Sequence, residues 1–201
     1  NDLGPQIHIW GNASSPVPYA KGNVFIQLWG PGTNVFLVAV NASTGKTIWK
    51  RNLPEAQGKE AKHWYGSWAT PVIRNNNGRD ELLIGLPKRL AAFNPTTGEE
   101  LWSCEGLGDL VYNNPVFTGD LVLATSGYGG PALCVKAAKG AFGNITEKRL
   151  WVTEKRNLQR IGTGMVVDEH YFILTEPGIL QCIDMATGEI VKQERIGKGG
   201  N

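Results

Sequence analysis

The chain has 201 residues with 20 Lys and Arg against 18 Asp and Glu, and a formal charge of +2 gives no reason to expect a polyanion partner such as nucleic acid or an acidic membrane surface. Hydrophobic residues make up 41%, enough for a packed core, while 26 glycines and 11 prolines argue for short elements joined by tight turns and against long helices, coiled coil, collagen or disorder. No apolar run reaches the roughly 20 residues of a membrane span, and Cys104, Cys134 and Cys182 make neither a disulfide framework nor a CxxC metal knuckle.

The chain opens on Asn1-Asp2-Leu3, with no initiator Met and no basic-then-apolar leader, so a removed leader or a piece of a longer chain is expected. A lead-in, Gln6–Ser14, precedes a first set of four expected strands: Pro16–Tyr19, Val24–Trp29, Val35–Val40 and Thr47–Lys50. The second set is Pro71–Arg74, Glu81–Leu86, Leu90–Phe93 and Glu100–Ser103. The third is Pro115–Thr118, Leu121–Thr125, Ala132–Lys136 and Arg149–Thr153, and the fourth Met165–Val167, Tyr171–Thr175, Leu180–Asp184 and Ile190–Gln193. Each segment is rich in Val, Ile, Leu and Phe and bounded by Gly, Asn, Asp or Pro, as hairpins require.

Two markers keep step with these sets. A turn recurs as Asn41-Ala-Ser-Thr-Gly45, Asn94-Pro-Thr-Thr-Gly98 and Asp184-Met-Ala-Thr-Gly188, with Trp49, Trp102 and Lys192 four residues beyond each Gly. The third set stretches its turn into Lys139–Glu147 before Trp151. The second marker runs Ser15-Pro16-Val17, Thr70-Pro71-Val72, Asn114-Pro115-Val116 and Gly164-Met165-Val166. Four antiparallel strands every 40–50 residues are the signature of β-propeller blades, so the expected fold is all-β, with repeats at about 8–52, 63–105, 107–154 and 157–196.

This pattern, small-Pro-Val, apolar strands, Asn/Asp-x-x-Thr-Gly and then Leu/Ile-Trp, resembles the quinoprotein repeat, the pyrroloquinoline-quinone (PQQ) type, over residues 8–196. The resemblance implies that Trp49, Trp102 and Trp151 dock between neighbouring blades. It also implies a partial ring of a propeller of about seven or eight blades, with apolar blade faces that seek a partner, the alternative being a self-contained four-bladed ring.

Candidate chemistry is sparse. Cys134 and Cys182 fall in the slot of Ala39 and Ala92, where a thiol acts as a small hydrophobe, and no Cys-Cys pair stands ready to hold a quinone. His8 and His63 each precede a blade's Pro by eight residues, so they either share a metal or anion or pack within their loops, while His170 is expected in a hairpin turn. The lead-in loops also hold Trp10, Trp64, Tyr65, Trp68 and Tyr112, with Arg160 in the fourth. With His63 these form the candidate ligand site at the channel mouth, unless Trp10 and Trp64 merely fill space between blades. Asp109, Asn113 and Asn114 are the nearest approach to a Ca²⁺ oxygen set. Seven basic residues between Lys136 and Arg160 read as a solvated loop or an anion-attracting rim.

The expected role is a non-catalytic scaffold that binds a protein, peptide or small ligand, in a bacterial periplasmic or outer-surface setting that the resemblance implies. Two alternatives stay open. One is part of a PQQ-dependent alcohol or sugar dehydrogenase with PQQ and Ca²⁺ held outside this segment; the other is a carbohydrate-binding propeller. No nucleic-acid partner and no membrane span are expected.

Overall fold

The computed structural model describes residues 3–153, 162–176 and 178–196. In chain order the strands are β1 Val17–Tyr19, β2 Val24–Trp29, β3 Phe36–Asn41, β4 Thr47–Asn52, β5 Gly66–Ser67, β6 Val72–Asn76, β7 Arg79–Leu86, β8 Arg89–Phe93, β9 Glu100–Glu105, β10 Leu110–Val111, β11 Val116–Thr118, β12 Leu121–Thr125, β13 Ala132–Lys136, β14 Gly143–Asn144, β15 Arg149–Val152, β16 Met165–Val167, β17 His170–Thr175, β18 Ile179–Asp184 and β19 Ile190–Arg195. They form four antiparallel meanders, β1–β4, β6–β9, β11–β13 with β15, and β16–β19, which are consecutive propeller blades.

The blades share one register. Side by side across the four strands stand Val17, Ile26, Ala39 and Trp49 in the first; Val72, Leu83, Ala92 and Trp102 in the second; Val116, Leu123, Cys134 and Trp151 in the third; and Met165, Phe172, Cys182 and Lys192 in the fourth. A register shift follows immediately on the third strand of each blade, after Ala39, Ala92, Cys134 and Cys182. Such a bulge increases twist, which lets flat meanders fan around an axis.

This register corrects the fourth landmark by one residue. Met165, not Val166, occupies the place of Val17, so the element equivalent to Ser15-Pro16-Val17 is Thr163-Gly164-Met165. Gly164 fills the proline slot because the backbone runs tight there: a Cβ would stand 2.3 Å from the Phe172 carbonyl oxygen and 2.6 Å from the Tyr171 ring. His170 is likewise not in the turn but opens β17, paired with Val167 and Asp184.

Two additions tie blades together. The lead-in loops of the second and third blades pair as parallel β5 and β10, Gly66 beside Leu110 and Ser67 beside Val111. The stretched third-blade turn reaches back as β14 and pairs with β9 at Trp102 and Ser103, making the second blade five-stranded. It thereby covers an edge that would otherwise offer unpaired backbone groups.

Docking by tryptophan takes two forms. Trp49 Nε1 donates to the Pro95 carbonyl at 3.1 Å and Trp151 Nε1 to the Met185 carbonyl at 2.9 Å, each on the Thr-Gly turn of the following blade. Trp102 has no such turn ahead of it and donates instead to Glu81 Oε2 at 3.2 Å. There a buried polar cluster does the joining. Arg74 meets Glu81 at 2.7 Å and donates to the Ala137 carbonyl at 2.9 Å, while Asn76 reaches the same carbonyl at 3.0 Å. Arg79 also pairs with Glu81 and donates to the Ala141 carbonyl at 2.9 Å, so three side chains gathered around Glu81 hold the irregular turn of the third blade.

The slot opposite the docking position explains the cysteines. Ala39, Ala92 and Cys134 are fully buried there, while Cys182 on the last blade is half-buried. Burial pushes the Cys104 thiol up to about 11 and the Cys134 thiol up to about 12, so both stay protonated at pH 8. Native-state iodoacetamide labelling at pH 8 is therefore expected to modify Cys182 first, with three equivalents incorporated only after unfolding, as mass spectrometry will read. Labelling of Cys134 ahead of Cys182 would contradict this packing.

Candidate functional site

The site is built from loops that precede innermost strands. A polar relay fixes their ends: the Ser15 amide donates to Thr70 Oγ1 at 3.0 Å, the Thr70 amide to Asn114 Oδ1 at 2.7 Å, and the Asn114 amide to Thr163 Oγ1 at 2.9 Å. Thus the residue two before each first-strand Val or Met caps the start of the preceding blade. Blade-to-blade satisfaction of these amides sets the spacing of the loops above them.

Above the relay lies a circuit of five aromatic rings. Centroids run Trp10 to Trp64 at 5.0 Å, Trp64 to Tyr128 at 5.7 Å, Tyr128 to Tyr112 at 5.9 Å, Tyr112 to Trp68 at 5.2 Å and Trp68 back to Trp10 at 5.7 Å. His8 leans on Trp10 and Trp68 at 5.4 and 5.1 Å. Most pairs are tilted or edge-to-face, the arrangement that the ring quadrupole favours. Trp68 is the buried keystone, its Nε1 donating to the Gly11 carbonyl at 3.1 Å. Trp10, Trp64 and Tyr128 are 43%, 56% and 52% exposed, a large apolar surface turned to solvent.

Of the residues expected here, Trp10, Trp64, Trp68 and Tyr112 come together. His63 and Tyr65 stack on each other at 5.4 Å instead, with the Tyr65 hydroxyl donating to the Glu55 carbonyl at 2.8 Å. Arg160 lies outside the described residues. One member escaped the sequence reading, Tyr128 from the loop between β12 and β13, while His8, weighed there with His63, leans on two rings of the circuit. The signal for Tyr128 was an aromatic set in the run Gly127-Tyr128-Gly129-Gly130. Gly127 is required there, since a Cβ would stand 2.1 Å from the Tyr112 ring. The Gly127 amide also donates to the Leu110 carbonyl at 2.8 Å, which seats the loop on the third blade's lead-in.

A concavity of about 620 Å³ opens beside the circuit, lined by Trp10, Trp68, Tyr112 and Tyr128 together with the polar Thr70, Asn114, Thr163 and Glu176. A wider one of about 1010 Å³ lies beyond Trp64 and Tyr128, bordered by Lys88 and Asp109, which pair at 2.7 Å. Burial, with Tyr128 adding to it, pushes the Tyr112 phenol up to about 12, so it stays neutral and donates or accepts hydrogen bonds without acting as a base at pH 7.

The residues weighed for metal and cofactor binding have partners within the protein. His8 is committed at both nitrogens, Nε2 against the His63 carbonyl at 3.3 Å and Nδ1 accepting the Trp10 amide at 3.2 Å. His63 Nδ1 accepts the Lys59 amide at 3.2 Å, so the two imidazoles do not converge on an ion. Among the described residues no group of three or more His, Cys, Asp or Glu has metal-ligating proximity. Asp109 is drawn to Lys88, Asn113 Nδ2 donates to Thr125 Oγ1 at 2.5 Å, and Asn114 Oδ1 takes the Thr70 amide. These three do not form the oxygen cage that Ca²⁺ beside a quinone requires.

Comparison with known proteins agrees with the architecture. The family model described as outer membrane protein assembly factor BamB matches residues 6–108 and again 66–194. BamB from Moraxella catarrhalis superposes with a TM-score of 0.59 at 19% identity, covering 91% of this chain and 49% of that one. The Neurospora crassa Pan2 WD40 domain gives 0.60 at 14% identity over 97% of this chain and 53% of that one, and a europium-containing methanol dehydrogenase 0.58 at 13% over 90% and 41%. The chain thus spans about half the length of each of these structures, and at such identities the likeness carries the fold alone. No curated protein matches the sequence. Blade register, tryptophan docking and the family match over nearly the whole chain lead to one conclusion: the chain belongs to the BamB-like family of PQQ-type propeller repeats.

Proposed function

We propose that this chain is a non-catalytic propeller scaffold that docks a protein segment on its aromatic mouth, in a periplasmic or outer-surface setting. The observation that carries the reading is the circuit of five rings, three of them about half exposed around a concavity of about 620 Å³. Rigid aromatic surface of this kind binds at low cost in side-chain entropy. The name of the matched family, an assembly factor for outer membrane proteins, supports both a protein partner and an exported location. Among the described residues no helix is long and apolar enough to cross a membrane.

The test uses a display library of unstructured peptides panned against the chain. Enriched peptides are expected to lose at least tenfold in affinity on Trp10→Ala or Trp64→Ala, read by calorimetry. Both side chains are exposed, so the fold survives; Trp68, only 7% exposed, is the wrong probe. Absence of enrichment, or affinities unmoved by both substitutions, would remove the mouth as a docking surface. Oligosaccharide binding lost on Trp64→Ala would convert the reading to a carbohydrate module. Stoichiometric, Ca²⁺-dependent uptake of PQQ would overturn the scaffold role.

A further inference from the structure

The concavity of about 620 Å³ has an aromatic lining and, among the described residues, charge of one sign only. Trp10, Trp68, Tyr112 and Tyr128 follow one another along it, and successive rings meet at 47°, 60° and 67°. Rings so inclined do not lie flat on one another, so their faces are not used up in stacking among themselves. The face of an aromatic ring is the negative end of its quadrupole, and several faces around one space attract a cation.

The polar part of the lining has the same bias. Glu176 is the one charged side chain there among the described residues, with no Lys, Arg or His beside it. It follows β17 in the fourth blade's hairpin, equivalent to the third-blade hairpin that carries Tyr128. That hairpin is closed by the Gly178 amide on the Thr175 carbonyl at 2.7 Å, which fixes the backbone that bears the carboxylate. Thr70 Oγ1, Asn114 Oδ1 and Thr163 Oγ1 each accept one backbone amide. Each such oxygen has lone-pair capacity for a second donor. An anion would face ring quadrupoles and a carboxylate together, whereas a cation gains from both.

The protein's own cations serve other rings. Lys50 lies over Phe36 at 3.7 Å and Arg74 stands 5.9 Å from Trp102, but among the described residues no Lys or Arg lies over a ring of the circuit.

We propose that this concavity is a cation-receiving box, and that a Lys or Arg side chain of the docked protein segment fills it. The charged head lies against the rings with Glu176 as its counter-charge, so the partner segment is basic. The occupant rests on the reading of the mouth as a docking surface; the chemistry of the box does not.

The test titrates acetyl-Gly-Lys-Gly-amide and its Arg, norleucine and Glu counterparts into the intact chain at low salt, followed by the Trp68 indole N–H resonance. The Lys and Arg peptides are expected to bind about fivefold or more tightly than the norleucine peptide, with the Glu peptide weakest. Glu176→Gln and Trp10→Ala, both at exposed positions, should each reduce that preference by about half or more. Equal affinity for the norleucine peptide, no binding of any peptide, or a preference untouched by both substitutions overturns the box. Tetramethylammonium bound more tightly than the Lys peptide overturns the side-chain occupant in favour of a small quaternary cation. Panned peptides that need Trp10 and Trp64 yet carry no Lys or Arg overturn the cation and leave the docking surface standing. Lys-peptide binding with no panned enrichment supports the box and removes the docking reading instead.

Discussion

Glu81→Ala is expected to cost about 3–5 kcal/mol of unfolding free energy, read from urea unfolding followed by tryptophan fluorescence. Glu81 is fully buried and accepts from Arg74 Nε at 2.9 Å, Arg74 Nη2 at 2.7 Å, Arg79 Nε at 3.0 Å, Asn76 Nδ2 at 3.2 Å and Trp102 Nε1 at 3.2 Å. Its removal leaves the Arg74 guanidinium buried without a counter-charge and strands several donors. A loss below about 1 kcal/mol would mean that water replaces the carboxylate and that the cluster does not join the blades.

The same cluster sets an acid limit. Burial alone would raise the Glu81 carboxyl, but the Arg74 charge and hydrogen bonds from Arg79, Arg74 and Asn76 outweigh it and hold the group below its ordinary range. A depressed folded-state value means that the stabilisation is present above the unfolded pKa of about 4.3 and is lost as pH falls through the folded one. Wild-type stability should therefore fall on acidification below about pH 4, and the slope should flatten in Glu81→Ala. Asp80 and Asp184 also lie low, through bonds from Lys21 and from the Thr187 amide, and leave a residual slope.

Trp102→Ala is the second large effect, about 3–5 kcal/mol. It should exceed Trp49→Ala and Trp151→Ala, although all three occupy the same blade position. Trp102 is fully buried, its indole bonds Glu81, and β14 runs alongside it; Trp49 and Trp151 are half-buried over a turn. The truncation opens a cavity and leaves one Glu81 donor fewer, whereas the other two expose a turn that water can solvate. Equal costs at all three positions would show that indole docking, not the buried cluster, governs the second junction.

Legibility in the sequence follows the range of the interaction. Strand ends fell within about two residues of their places, because turns such as Asn94-Pro-Thr-Thr-Gly98 are made by local side-chain-to-amide bonds, here Asn94 Oδ1 accepting the Thr96 amide at 2.8 Å. The slot of Ala39, Ala92 and Cys182 was legible for the same reason, its distance from the turn being constant, and Cys134 joined it through its flanking apolar residues. The fourth landmark slipped because Met165 and Val166 are both apolar, and only pairing across β16 and β17 tells which faces which side.

The candidate site was half legible. Lead-in aromatics were visible as composition, but which rings meet depends on loops from different blades. Tyr128 enters from a hairpin 60 residues beyond Trp68, while Tyr65, three residues before it, turns away to Glu55. Arg74 and Glu81 stood in the sequence only as the bounds of two expected strands. They are buried because the third blade's irregular turn folds over them, and that contact spans more than 50 residues.

Repetition alone determined the all-β blades and their strands, since hairpins and turns are specified by neighbours along the chain. Tertiary structure decided the aromatic circuit and the buried arginine–glutamate joint. Each depends on what the adjacent blade presents, and a change of one blade's turn or one docking residue alters that without altering the local pattern that makes the blade.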